Sequence, residues 1–152
     1  MGCLLKQGGG LYPRLRIGAV VVAAQPAPRM QGALPALIRL QGTPLVRRHL
    51  VALSGAGVDE VVVVTGHQAR AIEEQVAGFA VRVAHDADYS RGFEHSLQVG
   101  LAALEGPFDA VFALPVELAL IGANDLVELI GAFKKRPGGH ATLVRYGRAA
   151  LF

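Results

Sequence analysis

Two uninterrupted runs of β-branched and small apolar residues, 17–24 and 61–65, constrain this chain more than any other feature. A strand that alternates apolar and polar residues can leave one face wet. One without alternation has to be covered on both faces. Strands of that kind belong to parallel sheets packed between helices. The first run, ending Ala19-Val-Val-Val-Ala-Ala24, leads directly into Gln25-Pro-Ala-Pro-Arg-Met30, so whatever loop it feeds is irregular from its first residue.

The remaining chain alternates in kind. From 25 to 43 no period survives, and Pro26, Pro28, Gly32, Pro35 and Gly42 punctuate a long loop, expected to be mobile or irregular. A helix is predicted over 44–53, with Leu45, His49 and Leu53 along one face and Gly55-Ala-Gly57 as its stop. Strand 60–65, helix 68–76 and strand 79–84 follow. Helix 93–104 carries Leu97, Leu101 and Leu104 on one side, before strand 109–114. Asn124 is placed to cap a helix burying Leu126, Leu129, Ile130 and Phe133, and 141–146 reads as a fifth strand. This order predicts an α/β domain: a three-layer, Rossmann-like fold with a mostly parallel central sheet between helices. Residues 1–16 are expected to be a disordered leader and 17–152 a single domain. Ligands of such sheets bind at the carboxyl ends of the strands, which nominates the segments after Ala24, Thr65, Ala84 and Leu114.

Composition excludes several classes. The longest apolar run is far shorter than a bilayer requires, so no membrane association is expected. Position 6 is lysine, which breaks the myristoylation pattern begun by Met1-Gly-Cys3. Cys3 is the single cysteine, so an internal disulfide and a cysteine-based metal site are ruled out and a cytoplasmic setting is expected. His49, His85, His95 and His140 lack metal-ligand spacing. Net charge is only +3, with the basic residues scattered, so nucleic acid is not an expected partner.

The four nominated segments, read in order, resemble the molybdenum-cofactor nucleotidyltransferase family, the cytidylyl- and guanylyltransferases with a Rossmann-like fold. Where that family has Leu-Ala-Ala-Gly and then Arg-Met-Gly, this chain has Val22-Ala-Ala-Gln25 and Arg29-Met30-Gln31. Its Gly-x-Pro-Leu is matched by Gly42-Thr-Pro-Leu45. Its valine-rich strand ending Thr-Gly-His is matched by Val61-Val-Val-Val-Thr-Gly-His67. The family's Asn-Pro-x-Tyr, Gly and Ser-Leu-x-x-Gly-Leu correspond to Asp86-Ala-Asp-Tyr89, Gly92 and Ser96-Leu-Gln-Val-Gly-Leu101. The resemblance extends from about Ile17 to Leu126.

Several family residues are replaced. Gln25 stands at the loop glycine that lets backbone approach phosphate, and Pro26 removes the next donor N–H. Pro35 stands at the phosphate-binding lysine, and the chain has no lysine between Lys6 and Lys134. Glu117 aligns with the aspartate that holds Mg²⁺, and Ala149-Ala150 replaces Gly-His-Pro. The chain is expected to be cut short before the family's C-terminal acidic motif.

The resemblance implies a nucleotide site built from Ala23, Ala24, Gln25, Arg29, Thr65, Gly66, His67, Asp86 and Ser96, with Glu117 on the metal and Arg39 as a stand-in cation. Each also has a plainer use. Arg29 can be a loop cation, Gly66 a turn residue and His67 a cap. Asp86 can be a cap too, Ser96 a small packing residue and Glu117 a solvated carboxylate. The implied activity is transfer of CMP or GMP from CTP or GTP to molybdopterin with Mg²⁺, through a degenerate site whose catalytic residues are not assigned. A non-catalytic maturation partner of molybdoenzymes and a sugar-phosphate nucleotidyltransferase are the alternatives.

Overall fold

A computed structural model of the chain describes residues 4–7, 10–135, 145–146 and 149–150. Four strands form its central sheet: β1 (Ile17–Val22), β2 (Glu60–Thr65), β3 (Arg82–His85) and β4 (Ala110–Pro115). They lie in the order β3-β2-β1-β4, and every pairing is parallel. Val21 pairs with Val63 on one side and Leu114 on the other, so the two valine-rich runs are central neighbours. The order reverses beside β1, which puts the loops after β1 and β4 side by side. Val116 N–H extends that pairing by donating to Val22 O at 3.1 Å.

The unbroken runs are explained by what covers them. Ala19, Val21 and Val63 pack under α1 (Leu45–Gly55), α2 (Ala69–Val76) and α4 (Ala123–Lys135), against Leu53, Ile72 and Leu126, all fully buried. Val20, Val22, Val62 and Val64 face the other way, against Phe93 and Leu97 of α3 (Phe93–Ala103). Among the described residues, one face therefore carries three helices and the other carries one. Gly100 lets α3 come close. A Cβ there would sit inside contact distance of Val20 Cγ1 and 2.7 Å from Val64 Cγ2.

Some expected boundaries shift. The third strand, expected at 79–84, occupies Arg82–His85, because Gly78 turns the chain at φ +89° and Phe79 packs back onto the three-helix face. The Arg47 guanidinium lies 5.5 Å from the centre of that Phe79 ring. Asn124 does not cap α4. The helix starts one residue earlier, and the Asp125 carboxylate accepts from Gly122 N–H at 2.7 Å. Residues 141–144 of the expected fifth strand lie outside the described residues. Arg145–Tyr146 pairs antiparallel with Ala149–Ala150, and Leu4–Gln7 with Gly10–Pro13. No helix among the described residues is long and apolar enough to cross a membrane.

His49, on the buried face of α1, is 1% exposed. Its Nδ1–H donates to Leu45 O at 2.8 Å, and its Nε2 has no partner among the described residues. Burial pushes its pKa below the ordinary imidazole value, with the nearby Arg48 adding to the effect. A histidine held neutral by folding supports the fold fully above its unfolded pKa of about 6.5. That support is lost as pH falls toward the depressed folded value. Urea unfolding at pH 7.5 and 5.5 should therefore show a loss in the parent that is smaller in His49→Leu. Equal losses in both proteins would contradict this assignment.

Candidate nucleotide site

Three of the nominated loops converge where β1, β2 and β3 end. Ala23 and Ala24 are buried, and the loop after β1 is tied to the one after β2: Ala24 O accepts from His67 N–H at 3.0 Å. Gly66 is needed here for space. A Cβ on it would lie 2.8 Å from Ala24 O and 2.6 Å from Tyr89 Cβ. Thr65 is fully buried, and its carbonyl accepts from Asp86 N–H at 2.7 Å. Its hydroxyl lies 3.4 Å from His85 Nδ1. His67 stands beside Tyr89, with ring centres 5.8 Å apart and Nδ1 3.3 Å from the phenol oxygen.

Asp86 is the centre of the cluster and is 2% exposed. Its Oδ2 accepts from the Ser96 hydroxyl at 2.7 Å and lies 3.0 Å from His95 Nδ1, and its Oδ1 accepts from Asp88 N–H at 2.9 Å. Burial opposes the charge more than any single contact favours it. The bonds from Ser96, His95 and Asp88 together outweigh it and hold the carboxyl below the ordinary carboxylate range. Ser96 in turn accepts from Gln25 Nε2 at 2.7 Å, and the same Nε2 donates to Tyr89 O at 3.3 Å.

Of the sequence-nominated residues, the structure thus brings together Ala23, Ala24, Gln25, Thr65, Gly66, His67, Asp86 and Ser96. Arg29 stands apart. It is exposed on a short helical turn, Pro28–Met30, and forms no ion pair or hydrogen bond among the described residues. The Arg39 guanidinium donates to Gly42 O at 2.9 Å within the short hairpin that pairs Arg39–Leu40 with Thr43–Pro44. The loop is irregular, as expected, but Leu34, Pro35 and Ala36 are buried and pin its middle to the core. His95 and Tyr89 escaped the sequence reading as site residues. The available signal was their position: Tyr89 closes the Asp86 motif, and His95 precedes Ser96 in the first turn of α3.

Glu117 follows β4 and is exposed as a residue, while desolvation around its carboxyl pushes its pKa up. No three histidine, cysteine or acidic side chains among the described residues are grouped to hold a metal. One carboxylate suits a magnesium ion that keeps its waters and arrives on a triphosphate.

The same parallel α/β architecture is found in solved nucleotidyltransferases. A nucleotidyl transferase from Methanothermobacter superposes with a TM-score of 0.69 at 29% identity, over 76% of this chain and 57% of its own. Mycobacterium tuberculosis Rv0371c, solved with manganese, shares the fold with a TM-score of 0.64 at 20% identity, over 78% of this chain and 59% of its own. Within the class the family is definite: residues 19–150 match the MobA-like NTP transferase domain, and the chain belongs to that family. The bifunctional protein GlmU of Pelotomaculum thermopropionicum is 33% identical over 129 residues, 84% of this chain and 28% of that protein. The chain spans little more than a quarter of the GlmU relatives it matches.

Proposed function

We propose that the cluster at the ends of β1, β2 and β3 binds CTP or GTP for nucleotidyl transfer to a phosphate acceptor of the molybdopterin type. The observation that carries this is the buried Asp86–Ser96–Gln25 chain beside Ala23 and Ala24. It is a polar, charge-stabilised structure that ties the first turn of α3 to the carboxyl ends of the strands, where ligands of parallel α/β sheets bind. In such a reaction an acceptor phosphate oxygen attacks the α-phosphorus, a new P–O bond forms, and the bond to the bridging oxygen breaks to release pyrophosphate. Arg29 would take phosphate charge and Glu117 would touch the magnesium. The ion supplies charge neutralisation on the triphosphate.

A second reading, a non-catalytic nucleotide-binding partner in molybdoenzyme maturation, draws on the phosphate side of the site. There Arg39 is engaged by Gly42, and Pro35 is buried where the family keeps its lysine. Calorimetric titration with CTP and GTP, with and without Mg²⁺, tests binding. Pyrophosphate release with molybdopterin separates the two readings. Affinity should be salt-dependent, and Arg29→Ala should weaken it by about tenfold or more, as expected for loss of a charged hydrogen-bonding group. Unchanged affinity in Arg29→Ala would remove that residue from the site.

A further inference from the structure

The orientation of the Gln25 amide is fixed by the groups behind it. Asp86 is a buried carboxylate and only accepts, so the Ser96 hydroxyl must donate to it. Having spent its proton there, Ser96 Oγ accepts from Gln25 Nε2. Tyr89 O, a carbonyl, also only accepts, and it takes the second proton of the same nitrogen. Both amide protons are thereby committed on the protein side. Gln25 Oε1 is left with no partner among the described residues and is not sealed from solvent. Gln25 follows the carboxyl end of β1, and its nitrogen reaches the Tyr89 carbonyl on the loop after β3.

We infer that Asp86, Ser96 and Gln25 form a polarity relay presenting one fixed acceptor, Gln25 Oε1, which selects a nucleobase bearing an exocyclic amino group. The inference rests on the nucleotide reading of the site and refines it. A glutamine amide free to flip would accept or donate with equal ease and would not discriminate. An amide whose nitrogen is held by two acceptors accepts only. A base offering an amine satisfies it, and a base with a carbonyl or a bare C–H at that place leaves it unpaired. The pyrimidine C4 amine and the purine C2 amine offer the same chemistry.

Matched nucleotide pairs distinguish those two sources, CTP against UTP for the first and GTP against ITP for the second. Calorimetry or competition binding on the full chain should show a preference of about tenfold or more for the amino-bearing member of one pair. Gln25→Leu, at a half-buried loop position, should bring that pair to within about twofold. Ser96→Ala should erode the preference by freeing the amide to turn. In the ¹⁵N-labelled parent, both Gln25 side-chain amide protons should exchange slowly before ligand is added. Binding of all four nucleotides without preference, or a preference that survives Gln25→Leu, would overturn the relay and leave the nucleotide reading standing. Failure of every triphosphate to bind would overturn both.

Discussion

Asp86→Ala should destabilise the protein by about 2–4 kcal/mol, the range expected when one partner of a buried, charged hydrogen-bonding set is removed. The carboxylate receives the Ser96 hydroxyl, the Asp88 N–H and His95, and alanine leaves all three without their acceptor. Ser96 is itself fully buried, so water cannot readily take the place of the carboxylate there. The pH dependence has a defined sign. Because folding depresses the Asp86 pKa, its contribution is present above the unfolded carboxylate value of about 3.9. It disappears as pH falls through the depressed folded value. Urea denaturation at neutral pH checks the magnitude, and a variant within about 0.5 kcal/mol of the parent would show that the cluster contributes little to stability.

Two glycines in helices should respond to alanine with opposite signs. At an open helical site, alanine gains up to about 1 kcal/mol in propensity and lost unfolded-state freedom. Gly131, in α4, has no neighbour among the described residues within 4 Å of where a Cβ would stand, and Gly131→Ala should raise stability by roughly that amount. Gly100→Ala receives the same gain but drives a methyl into Val20 and Val64 at the centre of the sheet. Overpacking of that kind costs about 1–3 kcal/mol, and the closeness of both valines places this case toward the top. A net loss of roughly 1–2 kcal/mol is expected, and thermal or urea unfolding of both variants decides it. Stabilisation by Gly100→Ala would mean that α3 rides higher on the sheet than described.

The contrast explains what could be read from the residues alone. Unbroken valines specify strands covered on both faces, and β1 and β2 lie as that pattern requires. Gly66 and Gly100 belong to motifs whose glycines are needed for close approach, so family resemblance located them without revealing why. The third strand was misplaced because Phe79, as apolar as a strand residue, plugs the three-helix face from a turn. The loop after β1 misled differently. Counting prolines and glycines correctly foretells irregularity, yet it cannot show that Pro35 is buried, so a lysine restored there would enter the core rather than solvent. Nor does residue order reveal hydrogen-bond polarity. Gln25 reads as a lost glycine until Ser96 and Tyr89 O are seen to hold its nitrogen.

The one helix described on the second face gives these contacts a dynamic consequence. Ser96 and His95 sit in the first turn of α3, whose Phe93, Leu97, Val99 and Ala103 pack, with Ala84, Tyr89 and Leu104, against Val20, Val22, Val62 and Val64. Detachment of α3 would uncover those valines and dismantle the Asp86 cluster in one event, so the candidate site and the smaller of the two core clusters share a common opening unit. A ligand held through Gln25 and Ser96 would act as a latch on that unit. Its footprint in amide hydrogen exchange would extend along α3 and into β1 and β2, well beyond the residues it touches.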